Sequence, residues 1–192
     1  MPYFKTPILF LIAALIALGS VNNATAEFEH DSSLLGIKVG ALFPGGVTVS
    51  SGKSRDFDVH SGTTLGLLWD FPVFNYFYLG PFVDYSMFTA ADDDGITKFD
   101  VGLALKFKFS LSDNLVLRPA VSLAYGHANI TPDPGINNYV TEESNDFFVY
   151  QAFIEAIYNS IVVDFGYAEA EGGNEEDVYF YGQTFLRVGY LF

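Results

Sequence analysis

Apolar and polar residues alternate along most of the chain after residue 33, in segments separated by turn-forming residues. In residues 98–109, for example, one face has the residues Phe, Val, Leu, Leu, Phe and Phe, and the other has Lys, Asp, Gly, Ala, Lys and Lys. A period of two is that of a β-strand with one buried face, and no long segment has a helical period. The alternation predicts eight strands: Leu34–Phe43, Val59–Phe71, Tyr76–Phe88, Lys98–Phe109, Leu115–His127, Phe147–Tyr158, Ile161–Ala168 and Val178–Phe192.

The connectors between these strands alternate in length. Three are short and rich in turn formers: Pro72–Asn75, Ser110–Asn114 and Asn159–Ser160. Four are longer and polar: Pro44–Asp58, Thr89–Thr97, Ala128–Asp146 and Glu169–Asp177. An even number of antiparallel strands, with short turns at one end and long loops at the other, is typical of outer-membrane barrels.

Alternation alone also fits a soluble barrel such as a lipocalin, so the composition of each face has to decide. The polar face is rich in Gly, Ala and Ser, which suits a cramped interior better than a solvated surface. Aromatic residues stand at both ends of the apolar face, with Trp69 and Phe107 on the turn side and Phe99 and Tyr125 on the loop side. Such paired aromatic belts mark the two interfaces of a bilayer. We therefore expect an all-β fold, an eight-stranded antiparallel up-and-down transmembrane β-barrel.

The first 26 residues have the features of a secretory signal peptide. A lysine precedes an apolar run, and Ala24 and Ala26 form an A-x-A cleavage site. The run is short for the alternative, a retained transmembrane helix. We expect cleavage before Glu27, which leaves residues 27–192 as one barrel domain. The chain has no cysteine, so we expect neither a disulfide framework nor a lipid anchor after the cleavage site.

Charge is sparse and strongly negative. Only 17% of residues are charged and the net charge is −14, which argues against nucleic acid as a partner. The polar faces nevertheless carry five charges of each sign, so we expect a neutral interior in which the charges pair. The predicted interior charges are Lys38, Lys106, Lys108, Arg118, Arg187, Asp70, Asp84, Asp100, Glu155 and Asp164.

Within this set, four residues on consecutive strands form a predicted salt-bridged cluster in the half of the barrel nearer the turns. They are Arg118, Glu155, Asp164 and Arg187. Lys98 is grouped with the cations that offset the acidic loops. Pro81 and Pro119 fall inside strands, where each removes a ladder hydrogen bond, so we expect local bulges there.

The chain ends on the strand-like segment RVGYLF, in which Val188, Tyr190 and Phe192 share one face and Gly189 lies on the other. With this ending the chain from Glu27 onward resembles the small eight-stranded outer-membrane barrels, a group that includes OmpX, OmpW and the transmembrane part of OmpA. The resemblance implies that the outer-membrane assembly machinery reads the last strand. It also implies a monomer among outer-membrane lipid and lipopolysaccharide, with periplasmic termini and extracellular long loops.

Three functions are compatible with these features. The favoured one is a barrel with a largely plugged interior and a structural or surface-interaction role through acidic outer loops. The alternative is a narrow, porin-like conduit for small solutes. The third and most distant is a lipid A-modifying enzyme. The segment GHANITPDPGIN is faintly similar to a segment of lipid A deacylases, but Asn129 stands two residues after His127, where those enzymes have the nucleophilic serine.

A second candidate catalytic trio is His60, Ser86 and Asp84, which could face one lumen near the outer rim. An ordinary polar interior accounts for these residues better, so we expect no enzyme and no cofactor. Binding of Ca²⁺ or Mg²⁺ by the acidic loops is a further possibility, because these cations prefer carboxylate oxygens as ligands. The sequence gives it little support, since no loop has the regular ligand spacing of a known cation-binding loop.

Overall fold

The computed structural model describes residues 33–43, 46–51, 53–58, 61–74, 76–89, 95–131, 143–172 and 178–192. Within these ranges no helix is long and apolar enough to cross a bilayer. The strands are β1 (Leu34–Phe43), β2 (Gly46–Ser51), β3 (Lys53–Asp58), β4 (Gly62–Phe74), β5 (Phe77–Thr89), β6 (Gly95–Phe107), β7 (Phe109–Ser110), β8 (Leu115–Thr131), β9 (Glu143–Tyr158), β10 (Ile161–Gly172), β11 (Val178–Tyr181) and β12 (Gln183–Leu191).

Eight long strands form a closed antiparallel barrel. The order β6-β5-β4-β1-β12-β10-β9-β8 is closed by pairing between β6 and β8. The two-residue strand β7 continues β6 beyond Lys108 and pairs with β8 in the same register. The last strand, β12, lies between β1 and β10, and the Phe192 amide donates to the Leu35 carbonyl at 2.7 Å. The expected all-β, eight-stranded antiparallel barrel is confirmed.

The strand bounds follow the alternation closely at the turn end and less closely at the loop end. β1 has the predicted bounds, whereas β8 runs on to Thr131 and β9 already begins at Glu143. The predicted last strand is divided at Gly182, whose φ of 70° lies in the left-handed region that glycine adopts without strain. This kink lets the chain leave the direction of the barrel wall.

A second sheet has three strands, two of which lie in a connector that the sequence predicted as a loop. β2 and β3 form a hairpin within Pro44–Asp58, and β11 pairs with β2. β11 is the first part of the predicted last strand. β2 and β3 have six residues each, which is too few for alternation to distinguish them from a polar loop.

The expectation of bulges at the two prolines is wrong. Pro81 keeps its pairing with Leu103 on β6, and Pro119 keeps its pairing with Ile154 on β9. Towards the other neighbouring strand, each proline has no paired residue: the pairing of β5 with β4 is interrupted at Pro81, and that of β8 with β6 and β7 at Pro119. The register is the same before and after each interruption. The missing N–H is therefore accommodated by losing local pairs, and the recorded register shift lies instead between Pro72 and Phe74.

The outward face of the barrel is apolar, with aromatic contacts towards both ends. Leu65, Leu67 and Leu103 are about half exposed on this face. On the turn side the rings of Trp69 and Phe71 lie 4.5 Å apart, and several similar contacts surround Phe107. On the loop side Tyr125 and Phe148 form an edge-to-face pair at 6.1 Å. An aliphatic band between aromatic belts matches the hydrocarbon and interfacial layers of a bilayer.

The inward face is crowded, and glycines provide room for large neighbours. A β-carbon at Gly80 would collide with the Asp70 carboxylate. One at Gly166 would collide with the side chains of Phe153 and Phe185 and with a backbone oxygen of the adjoining strand. Because a backbone oxygen cannot move aside like a flexible side chain, Gly166 has little tolerance for substitution.

We expect Gly166→Val to destabilise the barrel by about 1–3 kcal/mol through overpacking of the lumen. Urea unfolding in detergent micelles measures this change. The control is Ala152→Val, on the outward face of β9 and level with Tyr167 of β10. Equal stability of the two variants would contradict the crowded interior.

Candidate functional site: a charged lumen

The barrel interior contains a set of buried charged side chains. Among the side chains that the structure describes, five cations and five carboxylates are buried, so this set is electrically neutral. They are Lys38, Lys98, Lys106, Arg118, Arg187, Asp70, Asp84, Asp100, Glu155 and Asp164. We call this set the lumen charges.

Glu155 of β9 is the centre of one half of the network. It pairs with Lys38 of β1, with Lys106 of β6 at 2.9 Å, and with Arg118 of β8 at 2.7 Å. Lys106 and Arg118 also reach Asp70 of β4, at 2.9 and 2.8 Å. Glu155 and Asp70 thus receive cations from three strands, and several of these pairs cross the lumen.

Arg187 of β12 organises the other half. Its Nε donates to Asp164 of β10 at 2.9 Å and its Nη1 donates to Asp84 of β5 at 2.8 Å. Lys38 donates to Asp164 at 2.7 Å and also contacts Glu155, so it joins the two halves into one continuous network.

The sheet register explains why the four residues singled out on consecutive strands belong together. Arg118 is opposite Glu155, Glu155 is opposite Asp164, and Asp164 is opposite Arg187. The row therefore places two carboxylates side by side, which would be destabilising without a cation shared between them. Lys38 supplies that cation from β1, a contact that strand pairing alone does not predict.

Two lysines differ from their sequence-based placement. Lys98, which the sequence analysis grouped with the loop cations, is buried and pairs with Asp100 at 2.8 Å. Lys108, predicted among the interior charges, is half-buried between β6 and β7, and its amide donates to the Tyr76 carbonyl. The break in the strand at Lys108 interrupts the alternation on which its prediction depended.

Phe153 lies among three of the lumen charges. The Nζ atoms of Lys38 and Lys106 lie 5.7 and 6.0 Å from the centre of its ring, and the Arg187 guanidinium carbon lies 5.6 Å away. Arg187 also stacks on Phe185 at 4.3 Å. Cations near an aromatic ring are stabilised by its quadrupole, most strongly when they are desolvated. The alternation in sequence places both phenylalanines on the inward face, but it does not predict their contacts with these cations.

Apolar layers lie on both sides of the charged layer. From the loop end to the turn end, the inner face of β9 reads Phe147, Val149, Gln151, Phe153, Glu155 and Ile157. At the turn end Ile157 packs with Val162, Leu68 and Leu191. At the loop end Phe147 and Val149 belong to a larger apolar cluster. Such layers restrict the access of water to the ion pairs, which strengthens their electrostatic attraction.

The structure describes the candidate catalytic trio of His60, Ser86 and Asp84 only in part. His60 lies outside the described residues, and the Ser86 hydroxyl donates to Thr64 at 3.1 Å. His127 faces outward near the loop end, where its Nδ1 lies 2.7 Å from an Asp146 oxygen. Hydrogen bonds from Tyr125 and His127 hold the pKa of the Asp146 carboxyl below its usual range.

The predicted chain-end features are placed only in part. Val188, Tyr190 and Phe192 point outward at the turn end, with Tyr190 and Phe192 in edge-to-face contact at 5.2 Å. Gly189 lies opposite Lys38, where a side chain would collide with the Ile37 carbonyl. The expected cleavage site at Ala24 and Ala26 and most of the acidic loop residues lie outside the described residues. Within the described part, no three acidic or histidine side chains converge as a metal site.

Comparison with known proteins supports the fold. The solved structure of Ail, the attachment invasion locus protein of Yersinia pestis, has 16% identity and a TM-score of 0.54, over 84% of this chain and 100% of that one. The N-terminal β-barrel domain of Pseudomonas aeruginosa OprF has 17% identity and a TM-score of 0.52, over 85% and 100%. No protein-family model and no curated protein sequence matches the chain. The fold is that of the small eight-stranded outer-membrane barrels.

We expect Arg187→Met to destabilise the barrel by about 3–5 kcal/mol, because Asp84 would stay buried without its cation. The measurement is urea unfolding of the refolded protein in detergent, followed by tryptophan fluorescence. The control is Leu186→Met, on the outward face of the same strand. Adding Asp84→Asn to Arg187→Met should recover most of the loss; failure to recover would argue against a specific pair.

At the outer rim we expect Tyr125→Phe to raise the pKa of Asp146 towards its ordinary value, since the tyrosine hydroxyl is the largest stabiliser of that carboxylate. A lowered folded-state pKa stabilises the fold above the ordinary pKa of about 3.9, and this contribution is lost as the pH falls through the folded-state value. NMR titration of the Asp146 carboxyl carbon measures the shift. An unchanged titration curve would contradict the hydrogen bond.

Proposed function

We propose that this protein is an integral outer-membrane barrel with a largely closed lumen, and that it acts as a structural scaffold presenting an acidic outer surface. The observation that carries the proposal is the neutral network of four cations and four carboxylates around Glu155 and Arg187, with apolar layers on both sides of it. Cross-lumen pairs such as Arg187–Asp84 and Lys106–Glu155 occupy the space that a diffusing solute would need. An eight-stranded barrel is narrow enough for side chains to fill it.

The loop end supports a role in surface interaction. With the ten lumen charges paired inside, most of the remaining acidic residues belong to the four long connectors and the adjoining strand ends, where only Lys53 and Arg55 offset them. Loops on a rigid scaffold are common sites of recognition. An electronegative surface favours cationic partners, either a basic protein surface or divalent cations.

One neighbour in fold suggests the kind of interaction. Ail is named for attachment and invasion, and an adhesive role would use the same loop end of the barrel in this chain. At 16% identity this is an analogy of fold, so the ligand has to be found by experiment. We propose outer-membrane lipid and lipopolysaccharide around the barrel, a monomeric state, and recognition of the last strand by the assembly machinery.

A narrow conduit for small solutes is the second candidate. It is favoured by buried polar atoms that have no hydrogen-bond partner within the described structure, including Ser122 Oγ, Gln183 Nε2 and Arg118 Nε. Such atoms are ordinarily satisfied by water, so they are consistent with a thin hydrated path beside the ion pairs. We propose no catalytic role, because Asn129 occupies the place of a nucleophile two residues after His127.

Planar-bilayer recording distinguishes the scaffold from the conduit. We expect no steady single-channel steps from refolded protein whose folding is checked by its heat-dependent gel mobility. The double variant Lys106→Ala/Phe153→Ala, which removes two large lumen side chains, should conduct if it folds. Steady steps from the unaltered protein would overturn the closed-lumen proposal.

Labelling of introduced cysteines tests the orientation. Glu171 lies at the loop end and Ser112 in a turn at the other end, and both are exposed. Since the chain has no cysteine, a single introduced thiol reports on one position. A maleimide too large to pass porins should label Glu171→Cys on intact cells and Ser112→Cys only after permeabilisation. The opposite pattern would place the long loops in the periplasm.

A further inference from the structure

A small internal cavity lies beside the lumen charges. One wall is formed by residues with little or no side chain, Gly66, Gly80 and Ala104. The facing wall is formed by Gln151 and Phe153 of β9. The carboxylates of Asp84 and Asp70 lie over Gly66 and Gly80, where a β-carbon would collide with them. Leu68 and Phe82 complete the apolar part of the lining.

Hydrogen-bond donors dominate the charged lining of this cavity. Lys38, Lys106 and Arg187 all border it, whereas Asp84 is the one carboxylate in the described lining. The carboxylates of Glu155 and Asp164 pair with these cations but do not border the space. Three of the four charged side chains that border the cavity are therefore cations, although each of them is also paired with carboxylates.

The cations retain N–H groups for a further acceptor. An ammonium group has three donors, and the described ion pairs join Lys38 to two carboxylates and Lys106 to two. Arg187 has five donors, of which Nε and one Nη1 hydrogen serve Asp164 and Asp84. A guest in the cavity would thus lie beside three cationic side chains that retain N–H donors.

The size of the cavity limits what it can hold. The volume open to the centre of a water-sized sphere is about 20 Å³, which is room for about one such particle. Chloride and bromide are close to water in size, whereas sulfate, phosphate and organic acids are larger. A single spherical anion suits both the size and the donors.

We propose that this cavity is a binding site for one small inorganic anion of the chloride or bromide class. Bound there, the anion accepts hydrogen bonds from Lys38, Lys106 and Arg187, and links strands β1, β6 and β12 across the lumen. The site goes beyond the scaffold role and does not depend on it, since it requires the described lumen and no partner at the outer surface.

Thermal unfolding in detergent tests the site through linkage. At constant ionic strength, replacing gluconate by chloride should raise the Tm of the unaltered protein by about 3 °C or more. Ala104→Leu fills the cavity and should abolish this difference. Ala124→Leu, which overpacks the lumen away from the cavity lining, is the matched control and should retain it. Equal chloride effects in all three proteins would indicate a general salt effect and overturn the proposal.

Diffraction from crystals grown in bromide provides a readout that does not depend on the variants' stability. An anomalous peak is expected within hydrogen-bond distance of the Lys106 and Arg187 nitrogens. Density in the cavity without an anomalous signal would identify water and overturn the anion site.

Discussion

Charges buried in the narrow interior of an eight-stranded barrel destabilise it unless counter-charges lie close to them. The lumen charges satisfy this constraint with five groups of each sign. Their pairing fixes which side chains can be large and where glycine must stand. Gly80 leaves room for Asp70, and Gly166 leaves room for the rings of Phe153 and Phe185, two of the aromatic residues that surround Arg187. Packing and electrostatics are therefore a single requirement in this interior.

The outward face is governed by a simpler rule. It needs only apolar side chains between two aromatic belts. Different aliphatic residues can therefore replace one another at most positions of this face. The two faces explain why a chain can keep this fold at 16–17% identity to solved barrels. The alternation is a coarse pattern that many sequences can meet, whereas the interior network is particular to each chain.

Much of the barrel follows from the sequence because each strand carries its own period-two signal. β1 has the predicted bounds, and the row from Arg118 to Arg187 follows from strand order. The hairpin of β2 and β3 was not predicted because its strands are short, and its pairing with β11 joins segments that are far apart in the chain. The role of Lys38 in joining Glu155 and Asp164, and the position of Phe153, depend on which side chains meet across the lumen. Which side chains meet across the lumen is determined by the closure of the barrel, and the residue pattern of a single strand does not contain that information.

The position of Lys38 on the first barrel strand also bears on how the barrel is assembled. Its carboxylate partners belong to β9 and β10, more than a hundred residues later in the chain. Until those strands arrive, the lysine has no counter-charge, and Asp84 likewise waits for Arg187 of the final strand. A half-built barrel in lipid would therefore contain uncompensated charges, which opposes its accumulation. The cross-lumen pairs therefore favour the closed barrel over a partly assembled one, because only the closed barrel brings all of these charges together.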